Sequence, residues 1–251
     1  GGQFNNDSGK ACGAWCWKAN GGTTASNSDG STTSTVQANT KAGFSIIQYA
    51  GNSTSGSTIG HGLNSAPDFI LFKALSGSEN WAVYHRSLGG TKAMVLNSTS
   101  SAVTNSNRFN DTDPSATVIT MGNVGNVNES GKNYIAYAWH NVEGYSTYTG
   151  NGNADGPFIY TGFRPRMVFL KRIDGSHNWV TFDTATVTFN PDDEYANWDT
   201  GGTSAQSASD KIDILSNGWK LRSTGSSFNN SGSTYIYGAW GDVPFKYNNT
   251  F

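Results

Sequence analysis

The sequence predicts an all-β protein: an antiparallel β-sandwich built from two tandem repeat units, preceded by a lone strand. Three observations carry this expectation. Gly, Ser, Thr and Asn make up roughly 45% of the 251 residues, far above ordinary usage. Gly costs backbone entropy, Thr is β-branched, and Ser and Asn compete for backbone hydrogen bonds, so long helices are hard to build from this mixture. Against that polar background stand 8 Trp, 11 Tyr and 13 Phe, a packed-core signature rather than a disordered one. The third observation is duplication, the sign of a repeat architecture.

The duplication is legible residue by residue. Lys73, Gly77, Ser78, Asn80 and Trp81 lie without a gap over Lys171, Gly175, Ser176, Asn178 and Trp179. Upstream, Pro67 matches Pro165, Gly62 matches Gly162, and Gly51-Asn52 matches Gly150-Asn151. Each unit opens with Gly43-Phe44-Ser45 or Gly144-Tyr145-Ser146. It closes with Ser130-Gly131 running to Trp139, or Ser231-Gly232 running to Trp240. The units are about 100 residues long and are expected at 43–143 and 144–251. Asn6–Trp17 resembles the closing stretch 128–139, so residues 1–17 are expected to be the closing strand of a preceding unit. That strand would belong to a longer repetitive protein or complete another sheet. Residues 18–42 are Ser/Thr/Gly-rich and are expected to be a linker or an extended edge segment.

Strands follow in order. In the first unit they are expected at 44–49, 69–73, 81–85, 93–96, 118–121 and 134–139. Their partners in the second are 145–149, 167–171, 179–183, 211–215, 219–223 and 235–240. Short strands separated by Gly, Asn and Ser turns suit a sandwich per unit, or one larger sandwich around a pseudo-two-fold.

Composition narrows the functions. With 16 Lys and Arg against 18 Asp and Glu, the chain lacks the positive charge with which proteins neutralise nucleic-acid phosphates. Apolar runs of about four residues are far too short for a membrane helix. Cys12 and Cys16 on one strand would stand about 13 Å apart at ~3.3 Å per residue, beyond the ~7 Å reach of a disulfide. They are expected as small fillers on one strand face.

Two stretches carry chemistry that the repeat does not impose. Asp192, Asp193, Glu194, Tyr195 and Trp198 form the densest acidic cluster, set in an expected Pro-flanked loop. Aromatic faces stack the C–H side of a pyranose, and carboxylates grip hydroxyls. The alternating acidic spacing of a calcium loop is absent, and the bland reading is a solvated loop. His85-Arg86 could serve β-elimination of a uronate, with a base for the proton and an arginine for the carboxylate, or simply end a strand. No catalytic residue, metal ligand or cofactor is assigned. The shared tryptophans 81, 139, 179 and 240 are read as packing.

The strings Gly43–Asn52, Ile59–Phe69, Trp81–His85 and Glu143–Pro165 resemble repeat units of virion structural proteins of tailed marine and cyanobacterial phages. Ala14–Gly22 is similar to the strand that ends a preceding unit in such proteins. The resemblance covers nearly the whole chain and implies a tail-fibre or lectin-like, concanavalin-like β-sandwich at the virion surface. It implies host cell-surface polysaccharide and other virion proteins as partners and a homo-oligomer, a trimer if a fibre. It supplies no catalytic residues. A polysaccharide depolymerase and a purely architectural self-assembling module are the competing expectations.

Overall fold

The computed structural model describes residues 14–140, 144–199, 205–206 and 211–241. Its regular elements are strands apart from one four-residue helix, α1 (Ser106–Phe109), and all the ladders between them are antiparallel. The protein is an all-β sandwich, as its composition predicts.

The first half contains β1 (Ala25–Asn27), β2 (Ser34–Asn39), β3 (Phe44–Ala50), β4 (Ser57–Gly60), β5 (Phe69–Ala74) and β6 (Ala82–His85). It continues with β7 (Lys92–Val95), β8 (Val103–Thr104), β9 (Val118–Met121) and β10 (Asn133–Trp139). The large sheet runs β1-β2-β3-β10-β5-β6-β7-β8, and the β4-β9 pair covers it. The second half contains β11 (Tyr145–Thr149), β12 (Phe158–Tyr160), β13 (Pro165–Arg172), β14 (Val180–Asp183), β15 (Glu194–Asn197) and β16 (Ala205–Gln206). Then come β17 (Ile212–Leu215), β18 (Gly218–Leu221) and β19 (Thr234–Gly241). Its large sheet runs β11-β19-β13-β14-β15-β16, covered by β12-β18-β17. The run β3-β10-β5-β6-β7 in one sheet therefore has the same order as β11-β19-β13-β14-β15 in the other.

Each sandwich has an inner core. Ile47, Ile59, Ile70, Phe72, Phe109, Ile119 and Tyr134 fill the first, and Val168, Leu170, Phe182, Trp219, Leu221 and Tyr235 fill the second. The outer faces of the two large sheets are apolar as well. They pack back to back through Phe44, Phe69, Leu71, Trp139, Met167, Phe169 and Trp179. The molecule is thus four layers deep, and its two middle sheets are buried on both faces. This explains Phe69-Ile70-Leu71-Phe72 and Met167-Val168-Phe169-Leu170: a strand covered on both sides needs no alternation. Polar bonds also cross this seam. Trp179 Nε1 donates to Val95 O at 2.8 Å, Ala102 N donates to Ile173 O at 2.9 Å, and Lys171 Nζ donates to Thr99 O at 3.1 Å. Lys171 is wholly buried, and burial lowers its ammonium to about 8.

The end of each sandwich is closed by the same hydrogen bonds. Asn128 Oδ1 accepts from Asn52 N at 2.9 Å, and Asn229 Oδ1 accepts from Asn151 N at 2.8 Å. Tyr134 Oη donates to Gly125 O and accepts from Glu129 N, while Tyr235 Oη donates to Ser226 O and accepts from Asn230 N. Tyr49 stacks on Tyr134 at 5.2 Å, and Tyr148 on Tyr235 at 4.8 Å.

Three expectations need correction. Residues 18–42, expected as a linker or an extended edge segment, are not the linker but hold the edge: β1 and β2 form a hairpin that extends the sheet beyond β3. Ser34 and Val36 are buried there, Ser34 Oγ donating to Gly60 O, so one short polar strand anchors itself with few apolar groups. Residues 1–13, including Cys12, lie outside the described residues. Ala14–Trp17, expected at the end of a strand, has no ladder partner among the described residues, and Cys16, expected as a small filler on a strand face, is exposed. Finally, 93–96 does not correspond to 211–215. By sheet position β7 corresponds to β15, whereas β17 belongs to the small sheet.

Candidate functional site: an aromatic cleft between the sandwiches

A concave feature lies where the two large sheets meet. A cavity of about 510 Å³ is lined by Trp15, Trp17, Phe44, Phe69, Trp81, Tyr137, Trp139, Phe169, Trp198 and Trp240, with Leu and Ile side chains, Met167 and one amide, Asn97. Among the described residues no charged side chain lines it. Its volume falls within the range of small-molecule sites, about 300–1,000 Å³. Trp15, Trp81 and Trp198 are half-buried and Asn97 is exposed, so the cleft opens to solvent there.

The fold positions these rings by strand alternation. Phe69 and Leu71 leave β5 on the seam face while Ile70 and Phe72 face the inner core. On β10, Tyr137 and Trp139 take the seam face in the same way. Trp81 stacks on Tyr137 at 6.4 Å and receives a backbone clamp from Asn97, whose Oδ1 accepts from Trp81 N at 3.0 Å. Asn97 Nδ2 donates to Asn80 Oδ1 at 2.8 Å, which leaves one amide hydrogen at the rim. Deeper in, the Nε1 of Trp139 is buried without a hydrogen-bond partner. A buried donor left unmade is costly, about 1–3 kcal/mol, and this one belongs to a side chain that lines the cleft.

The residues singled out for glycan contact are placed differently. The stretch expected to be a loop holds β15, which pairs with β14 and β16. Asp192 is buried, its backbone bridged to Ile212, and its Oδ1 accepts from Glu194 N at 3.0 Å while Oδ2 has no partner. Burial pushes this carboxyl up to about 7, and Asp193, Glu194 and Asp183 add to the rise. Asp193 and Glu194 are half-buried beside it. Tyr195 packs into the second inner core against Phe228 and Phe182. Trp198 turns to the other face, stacks on Trp15 at 5.5 Å and donates from Nε1 to Thr181 Oγ1 at 2.5 Å. Tyr195 and Trp198 thus serve two different cores, as expected for positions three apart on a strand. Only Trp198 reaches the cleft.

His85 and Arg86 separate as well. His85 is sealed in the seam with Nε2 3.0 Å from Tyr237 O, while its Nδ1 accepts from Ser87 N at 3.2 Å. Both ring nitrogens are occupied by a neutral imidazole that carries its proton on Nε2. Burial lowers its pKa to about 4, with Arg86 acting in the same direction. Arg86 points away and pairs with Asp68 at 2.8 Å. A base and an arginine facing one substrate proton are therefore not assembled here. Among the described residues no three His, Cys, Asp or Glu side chains are grouped to hold a metal.

Sequence reasoning missed the cleft because its walls come from strands far apart in the chain and from both sandwiches. One signal existed: Trp15 and Trp17 are spaced by two, as residues on one face of an extended segment are.

No curated protein and no solved structure matches this chain. A match does come from a family of domains of unknown function, DUF7483, and it spans residues 2–244. Covering both sandwiches and the seam between them, that match makes the chain a member of the DUF7483 family.

Proposed function

We propose that this protein is a module of a tailed-phage virion surface, part of a tail fibre or similar appendage, and that it attaches to host surface glycans through the tryptophan-lined cleft. The observation that carries the reading is the chemistry of the rim: Trp81 is half-buried beside the exposed amide of Asn97, and half-buried Trp198 lines the same cleft. Ring faces take the C–H side of a sugar, and an amide takes its hydroxyls. The uncharged lining of the described residues favours neutral sugars over uronates. Individually weak sites would gain strength from repetition on an appendage.

The test is retention of the full chain on immobilised neutral polysaccharides, followed by titration of the best ligand. Trp81→Ala is expected to weaken binding about tenfold, equivalent to ~1.4 kcal/mol. Lack of retention by any glycan, or equal binding by the variant, would remove the attachment reading. A second reading, an architectural module, has one observation in its favour. Asp192, Tyr195 and His85, candidates for chemistry, are all committed to the framework.

A further inference from the structure

Residues 14–19 form a strap across the mouth of the seam. Trp15, Trp17 and Ala19 are half-buried, while Ala14, Cys16 and Lys18 are exposed. That alternation is the period of a strand. Yet among the described residues no backbone group of 14–19 enters a ladder or any other backbone–backbone hydrogen bond. An extended segment with unpaired backbone is a template for pairing with another chain.

The strap is held by its side chains. Trp17 meets Trp139 of the first sandwich at 5.4 Å and Trp240 of the second at 5.5 Å, both edge-on. Trp15 stacks on Trp198, and its Nε1 donates to Asp183 Oδ2 at 2.5 Å. Besides these, Lys18 O accepts from Asn39 Nδ2 at 3.1 Å. An open groove of about 880 Å³ flanks the strap. The chain then reverses into β1 through Gly21 and Gly22, at φ of 60° and 91°. No atom outside the turn lies within 4 Å of where a Cβ would stand at either glycine. The reversal itself thus rests on two exposed left-handed glycines, while the strap beyond it is held by its two tryptophans.

We propose that the strap is a joint between copies of this chain: it seats Trp15 and Trp17 in the cleft of a second copy as it seats them here in its own. The fit of the occupant is visible in the intramolecular contacts, which would be identical between copies. The balance between the two arrangements is then set by the hinge and by concentration, as in exchange of an identical element between protomers. This inference does not depend on glycan binding.

The test measures the mass of the full chain by light scattering across a concentration series. Gly21→Val with Gly22→Val places β-branched residues where positive φ is strongly disfavoured, so the reversal opens and exchange is favoured. Association is expected to set in at about tenfold lower concentration than in the parent chain. Trp15→Ala with Trp17→Ala is expected to stay at the mass of one chain throughout, with an unchanged far-ultraviolet circular dichroism spectrum. If the hinge variant stays at the mass of one chain, with tryptophan emission shifted to the red by a released strap, the joint is overturned. Association that persists without the two tryptophans overturns it as well.

Discussion

Replacing Asn128 tests whether the sandwich end is held by donated hydrogen bonds or merely by a side chain of the right shape. The residue is wholly buried. The two hydrogens of its Nδ2 are shared among Asn52 Oδ1, Thr54 O, Ser57 Oγ and Gly122 O, at 3.1, 3.1, 3.0 and 2.9 Å. With the bond accepted by Oδ1, Asn128→Ala removes the equivalent of three hydrogen bonds. A net value of about 1 kcal/mol each gives roughly 3 kcal/mol. Asn52 and Thr54 are exposed and can turn to water, which brings the expected cost to about 2–3 kcal/mol. Asn128→Asp keeps the shape and the acceptor but replaces both donors with an anionic oxygen facing other acceptors. A buried charge without compensation costs about 3–5 kcal/mol, so the near-isosteric change is expected to be the worse of the two at pH 7. At about 2–4 °C per kcal/mol for a chain of this size, thermal unfolding followed by circular dichroism separates them. The alanine variant melts ~5–10 °C low and the aspartate variant lower still. The aspartate deficit also shrinks towards pH 4, where protonation restores one donor. If Asn128→Asp is as stable as Asn128→Ala at pH 7, or more so, donation is not what the site requires.

Two buried titrating groups give further expectations, of opposite sign. His85 is held near 4, below its unfolded value of 6.5, so the unfolded chain takes up the proton first. Its contribution of about 3 kcal/mol is present above pH 6.5 and is lost as pH falls through 4. His85→Gln should flatten that acid limb in urea unfolding measured from pH 7 to 4; an unchanged limb would place the acid sensitivity elsewhere. Asp192 is held near 7, above its unfolded value of 3.8, so its contribution is fully present below pH 3.8, falls as pH rises from there, and is lost once pH passes 7 and the buried carboxyl ionises. Asp192→Asn should then raise stability by about 4 kcal/mol at pH 8 and by well under about 1 kcal/mol at pH 4, read from urea midpoints. A gain that is equal at both pH values would show that ionisation is not its source.

Most of the strand framework was legible in the sequence, because the duplication marks the same short apolar runs twice. The expected strand at 118–121 coincides with β9 and that at 145–149 with β11, and the others fall within two residues of β3, β5, β6, β7, β10, β13, β14, β17, β18 and β19. The strands not foreseen carry little apolar signal. In β2, Ser-Thr-Val-Gln-Ala-Asn offers only Val36 and Ala38; β12 is apolar throughout but only three residues long, too short a run to stand out. The stretch 190–199 misled for a related reason. Its Asp and Asn residues suit a loop, but its sheet position is that of β7, and a strand one place in from the sheet edge leaves its polar groups half-buried. The cleft was the least legible feature. Of the shared tryptophans read as packing, Trp179 is fully buried while Trp81 stays half-exposed at the rim. That difference comes from how the two sheets meet and not from either repeat alone.

The meeting of Trp139 and Trp240 limits what the seam can hold. These residues occupy equivalent positions in β10 and β19, yet they touch each other, 6.1 Å apart and edge-on. Equivalent groups touch when they flank a two-fold axis. Trp17 lies against both of them and so occupies a place with no symmetric counterpart. A second strap approaching from the mirrored direction would need the space already taken. Two similar walls thus enclose a single seat, so in the proposed exchange one chain would accept one strap and give one. Units that each give and accept a single connection close into rings or extend into unbranched rows, and cannot form a network.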